Sequence, residues 1–124
     1  MTFDVEIVLR DRNYAVSEHI VVPAAADADE RTPANWTDAD VADVLKQMLL
    51  AIDRVKNPAA EERYVALRGF SWIVEPTGEG GVVIAIEIPS GAAVAGPFAV
   101  AQPVLDSRIR RVVHAARPTA PVVH

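Results

Sequence analysis

The chain has no cysteine among its 124 residues, which excludes disulfides, thiolate nucleophiles, zinc–thiolate sites and iron–sulfur clusters together. Aromatic residues are only 6% of it, so its core must come mainly from aliphatic side chains. The longest apolar runs, Gly81 to Ile86 and Ala92 to Ala101, fall well short of the roughly 20 residues a membrane span requires. From Thr2 the sequence alternates apolar and acidic residues, whereas a secretory leader sets a basic start before an apolar stretch. The expectation is a cytoplasmic protein. Positive charge is scarce too: Lys and Arg total 12 against 17 Asp and Glu, a net charge of −5. An acidic body repels a phosphate backbone, which ranks nucleic acid last among partners.

What is present is apolar content, 51% of residues, rich in Ala and Val in the manner of a GC-rich bacterial or phage genome. That content excludes disorder over most of the length. The length is that of one domain, expected over residues 1–116 with a loose tail at 117–124.

Residues 3–10 alternate, with Phe3, Val5, Ile7 and Leu9 on one side and Asp4, Glu6 and Arg10 on the other. Period two is the mark of a half-buried strand. Asp11-Arg12-Asn13 reads as a turn, and Tyr14 to Val22 returns as the antiparallel partner. A loop follows over residues 23–35. Thr37 then stands as N-cap with Asp40 at N3, the spacing of a capping box, with Trp36 and Val41 at hydrophobic-staple positions. Val41, Val44, Leu45, Met48, Leu49, Ile52 and Val55 recur every three or four residues, one apolar helical stripe. Pro58 ends it, predicting a helix over 38–56.

From Tyr64 the alternation resumes through Val65 and Leu67, then switches parity to Phe70, Trp72 and Val74. A one-residue bulge at Gly69 would reunite the two sets. Val82, Ile84, Ile86 and Ile88 form a return strand beyond a glycine-rich loop, and the apolar Val83 and Ala85 point to a central or doubly covered position. A short strand near residues 97–100 is expected at an edge, where proline is tolerated. Leu105, Ile109, Val112, Val113 and Ala116 predict a helix at 104–116. The order ββ-α-ββ-(β)-α implies an α+β two-layer sandwich, with an antiparallel sheet of four to five strands and helices on one face.

No residues converge into a catalytic pattern. Ser17 and His19 share a strand face, yet i and i+2 stand about 7 Å apart, too far for a direct hydrogen bond. Asp27, Asp29, Glu30, Asp38, Asp40 and Asp43 lack the spacing of a calcium loop, and a solvated acidic surface accounts for them. Gly78-Glu79-Gly80-Gly81 and the GxxxxG spacing of Gly91 and Gly96 lack the lysine of a phosphate-binding loop and read as turns. No metal and no cofactor is expected.

Two features point toward contacts. Residues 1–100 carry eight basic and sixteen acidic side chains, whereas residues 101–124 carry Arg108, Arg110, Arg111 and Arg117 against Asp106 alone. A basic helix docks either on its own acidic body or on another acidic surface. Trp36, Trp72 and Phe98 are the large apolar side chains able to anchor a partner; with Trp72 assigned to the core, Trp36 and Phe98 remain. The reading is a non-enzymatic interaction or assembly domain acting through a sheet edge and the basic C-terminal helix. Trp36, Phe98, Arg108, Arg110 and Arg111 are its candidate residues, and its partner is a second copy or another protein. The rival is a small-ligand binder or small enzyme. It places Glu18, off-phase on the apolar side of its strand, in a pocket between sheet and helix with Tyr64, Arg68 and Trp72.

Overall fold

A computed structural model describes residues 1–22 and 32–116. Asp27, Asp29 and Glu30 and the tail at 117–124 lie outside the described residues. Among the described residues lie five strands, β1 (Thr2–Leu9), β2 (Ala15–Val21), β3 (Ser71–Pro76), β4 (Val82–Ile88) and β5 (Gly91–Phe98), two α-helices, α1 (Asp38–Lys56) and α2 (Gln102–Ala116), and a single 3-10 turn at Pro33–Asn35. The strands form one antiparallel sheet in the order β2-β1-β5-β4-β3. Both helices pack on the same face, α1 over β1 and β5, α2 over β3 and against α1. The architecture is the expected α+β two-layer sandwich.

Alternation builds the packed layer. Phe3, Val5, Ile7 and Leu9 of β1, Val82, Ile84 and Ile86 of β4, and Ala93, Ala95 and Phe98 of β5 are all buried against Val41, Val44, Leu45, Met48 and Ile52 of α1 and Leu105, Ile109 and Val112 of α2. Each fully buried aliphatic side chain contributes about 1.5–3 kcal/mol. No polar or charged residue is buried among those described, so the core side chains make no demand for hydrogen bonds and only the backbone must be paired.

α1 begins and ends where its sequence dictates. The Asp40 amide donates to Thr37 Oγ1 at 3.2 Å while the Thr37 amide donates to Asp40 Oδ2 at 2.9 Å, which satisfies two otherwise unpaired donors reciprocally. Arg63 pins the following connector to the helix end, donating to the Asp53 carboxylate at 2.8 Å and to the Asn57 carbonyl at 2.9 Å.

Three expectations fail for physical reasons. Residues 64–70 form no strand: β4 ends at Ile88, opposite the start of β3, so the ladder has no partner left for them. Leu67 is buried there all the same, and Gly69, at φ 76°, lies in this irregular connector and not in a bulge. The last strand occupies the centre of the sheet, between β1 and β4, with no edge of its own. Its small side chains let both neighbours approach, and a Cβ on Gly91 would stand 2.6 Å from the Val8 carbonyl oxygen. The bulge is in β5: Val82 pairs with Phe98 and Ile84 with Ala95, so Gly96 and Pro97 together oppose Val83. Pro97, which has no amide to donate, is accommodated in that interruption.

Candidate contact surface

Trp36 and Phe98 are core residues, only 5% and 4% exposed. Their rings meet edge to face at 4.9 Å between centroids, and Phe3 adds a second such contact with Phe98 at 5.8 Å. As surface anchors they are corrected: the bulge turns Phe98 inward, and the cap of α1 carries Trp36 onto it. Trp72, assigned to the core, is half-buried on edge strand β3, with the Arg110 guanidinium 5.7 Å from its ring centre. A large side chain on an edge strand has a neighbouring strand on one side only.

The arginines of α2 are largely occupied within the chain. Arg111 grips Asp38 through both carboxylate oxygens at 2.6–3.0 Å, the planar fork geometry that guanidinium favours. The hydrogen bonds from Arg111 hold the Asp38 carboxyl below its ordinary value and raise the Arg111 pKa in turn. Arg110 pairs with Asp106 at 3.1 Å, and Arg108 donates to the Pro33 carbonyl at 3.3 Å. The basic helix thus docks on its own acidic body.

The four residues of the expected pocket do not meet. Glu18 lies on β2 and Trp72 on β3, opposite edges of the sheet, about 19 Å apart at the usual strand spacing. Glu18 accepts both Nε and NH2 of Arg54 at 3.0 and 2.8 Å, which answers its off-phase position. Tyr64 is 87% exposed and donates to Glu62. Tyr64 and Arg68 do share a cleft, but with Lys56 and Ile88.

The Ser17/His19 face shows a partner that spacing along one strand did not reveal. Asp4, directly opposite on β1, holds His19 Nδ1 at 2.7 Å. Ser17 stands opposite Glu6 instead. Both His19 and Asp4 are well exposed, so water surrounds the pair, in contrast to the dry pocket in which such pairs activate nucleophiles. Among the described residues no His, Asp and Glu gather in a group able to hold a metal ion.

The feature without a structural partner is the other face of the sheet. Val8 of β1, Ala92 and Val94 of β5, Val83 and Ala85 of β4 and Ile73 of β3 are cross-strand neighbours on that face. Val8, Val94 and Ile73 are 42%, 40% and 50% exposed. Together they make a continuous apolar stripe across the four strands from β1 to β3. Asp4, Glu6, Glu75 and Glu87 flank it, with Arg10 at 4.0 Å from Glu87 and His19 on Asp4. The sequence carried the signal in Val83 and Ala85, whose off-phase apolar side chains mark a strand with two apolar faces.

No protein-family model, curated protein or solved structure matches the chain. No helix among the described residues is long and apolar enough to cross a membrane.

Proposed function

We propose that this chain is a non-enzymatic assembly domain that associates with a second copy of itself through the open face of its sheet. The observation that carries the reading is the exposed stripe from Val8 through Val94 to Ile73, because contiguous surface apolar area marks contact sites in soluble proteins. The edges serve this purpose poorly. β2 carries Glu18 on the helix-covered side of its edge, a charge that discourages pairing by another strand, and β3 ends in Pro76. The basic helix, engaged with Asp38 and Trp72, is the frame of the domain.

A second copy suits the surface. The stripe needs an apolar counterpart, and most soluble oligomers are symmetric pairs of like chains. Four strands at about 4.8 Å spacing and some 20 Å of length give roughly 400 Å² per copy. Doubled, that is about the size of a weak, transient interface, so association is expected to depend strongly on concentration.

Val94→Lys tests the reading. A lysine there faces Glu6 across the β1–β5 ladder, which keeps the single chain stable while breaking the stripe. Sedimentation of the wild-type chain should show a concentration-dependent dimer, and the variant should remain a monomer at the same concentrations. Equal dimerisation by the two chains overturns the assignment of the face.

A further inference from the structure

Half of the Lys and Arg side chains among the described residues are matched to carboxylates, and most of those without any polar partner lie near one another. Ten Lys and Arg residues lie among those described. Arg10, Arg54, Arg63, Arg110 and Arg111 each have a carboxylate partner, and Arg108 has the Pro33 carbonyl. Arg12, Lys46, Lys56 and Arg68 have neither an ion pair nor a hydrogen bond with a described residue. Three of these four border two clefts that meet at one end of the sandwich. One cleft, of about 330 Å³, runs between α1 and the connector and includes Lys56, Tyr64 and Arg68. The other, of about 390 Å³, includes Arg10, Arg12 and the same Lys56. The Pro89–Ser90 turn belongs to both.

Arg12 lies over the Tyr14 ring at 5.9 Å and Lys56 feels the longer-range pull of Asp53, but neither is bound by a carboxylate, so both remain available, with Arg68, to an anion that enters the clefts. The two carboxylates that share these clefts, Asp53 and Asp11, differ in commitment. Asp53 is held by Arg63 and Asn57, which lower its pKa. Asp11 borders the second cleft and has no ion pair with a described residue. The first cleft also has an apolar floor, Leu49, Ile52 and Ile88, and the 87% exposed ring of Tyr64 beside it. At Gly69 the space where a side chain would stand is open. An apolar floor, an exposed ring and a few cations bordering the same few hundred Å³ are attributes of a small-molecule site.

We infer that these joined clefts bind a small organic phosphate of the nucleoside diphosphate class. Its flat body lies against Tyr64 and the apolar floor, and its phosphates lie among Lys56, Arg68 and Arg12, with the Ser90 hydroxyl as a further donor. The site lies at the end of the sandwich and not on the open sheet face, so it stands whether or not that face assembles.

Isothermal titration calorimetry with ADP tests it. Lys56→Ala and Arg68→Ala should each weaken ADP binding about tenfold, the loss expected for one charge-assisted hydrogen bond. Lys46→Ala, which removes the unpaired cation that borders neither cleft, should leave binding unchanged. Pyrophosphate should bind more weakly than ADP because it lacks the flat body. All three substituted side chains are exposed or partnerless, so thermal melts should match the wild type. No heat from ADP at millimolar concentration overturns the inference, and so does equal weakening by Lys46→Ala.

Discussion

The two faces of the sheet are made by the same strands and differ by one residue of phase, yet one is closed and the other open. On the closed face, Ile7, Ile84, Ala93 and Ala95 are fully buried beneath α1 and α2. On the open face, their chain neighbours Val8 and Val94, with Ile73 of β3, remain 40–50% exposed. The difference is not one of hydrophobicity, since Val8 and Val94 are as apolar as Val5 and Val82. It lies in what covers them. A strand with two apolar faces needs two covers, and the described chain supplies one.

The sharpest way to break this comparison is to shorten one side chain on each face. Ile7→Ala should cost about 2–5 kcal/mol, the usual penalty for a cavity in a closed core. Val94→Ala, measured in the same urea titration at a concentration where the chain is single, should stay within about 0.5 kcal/mol. Similar losses at the two positions would mean that the open face is covered even in the single chain.

The next effect tests the strand that joins the faces. A Cβ at Gly91 would press on the Val8 carbonyl oxygen, a backbone atom with no freedom to withdraw. Gly91→Ala should therefore destabilise the domain by about 1–3 kcal/mol, as overpacking does. An unchanged urea midpoint would show that β1 and β5 are less tightly joined than their register implies.

The smallest effect concerns the frame that holds α2 on the closed side. Arg111 lowers the folded-state pKa of Asp38 below its ordinary 3.8. The stabilisation is thus fully present above the ordinary carboxylate value and is lost as pH falls through the lowered one. Asp38→Asn should remove that part of the acid dependence and leave the stability near neutral pH slightly reduced. The pair is exposed, so salt should shrink the difference further. Identical acid limbs in the two chains would remove this contact from the account.

Much of the closed face was legible in the sequence because local rules and tertiary packing agree there. Thr37, Asp40 and Pro58 bound α1 within the chain's own grammar, and the alternation of β1 survives unchanged. The central strand was not legible. Ala92, Ala93, Ala95 and Gly96 offer little contrast between faces, so period two is faint, and Pro97 pointed to an edge when the bulge accommodates it instead. Tyr64 to Phe70 misled in the opposite direction, with strand-like alternation and no strand available to pair. Glu18 looked like a pocket residue because its partner, Arg54, lies 36 residues away. Residues that meet only across the fold, such as Asp4 with His19 or Asp38 with Arg111, leave no mark in linear spacing. The open stripe left a partial one, in Val83 and Ala85.

The most direct test of the open face is the solution mass by light scattering, measured across protein concentration at low and high salt. An apolar stripe flanked chiefly by acidic groups predicts a mass approaching twice 13.3 kDa as concentration rises, with association stronger in high salt, where repulsion between the two acidic rims is screened. A mass of 13.3 kDa at every concentration and in both buffers would contradict it.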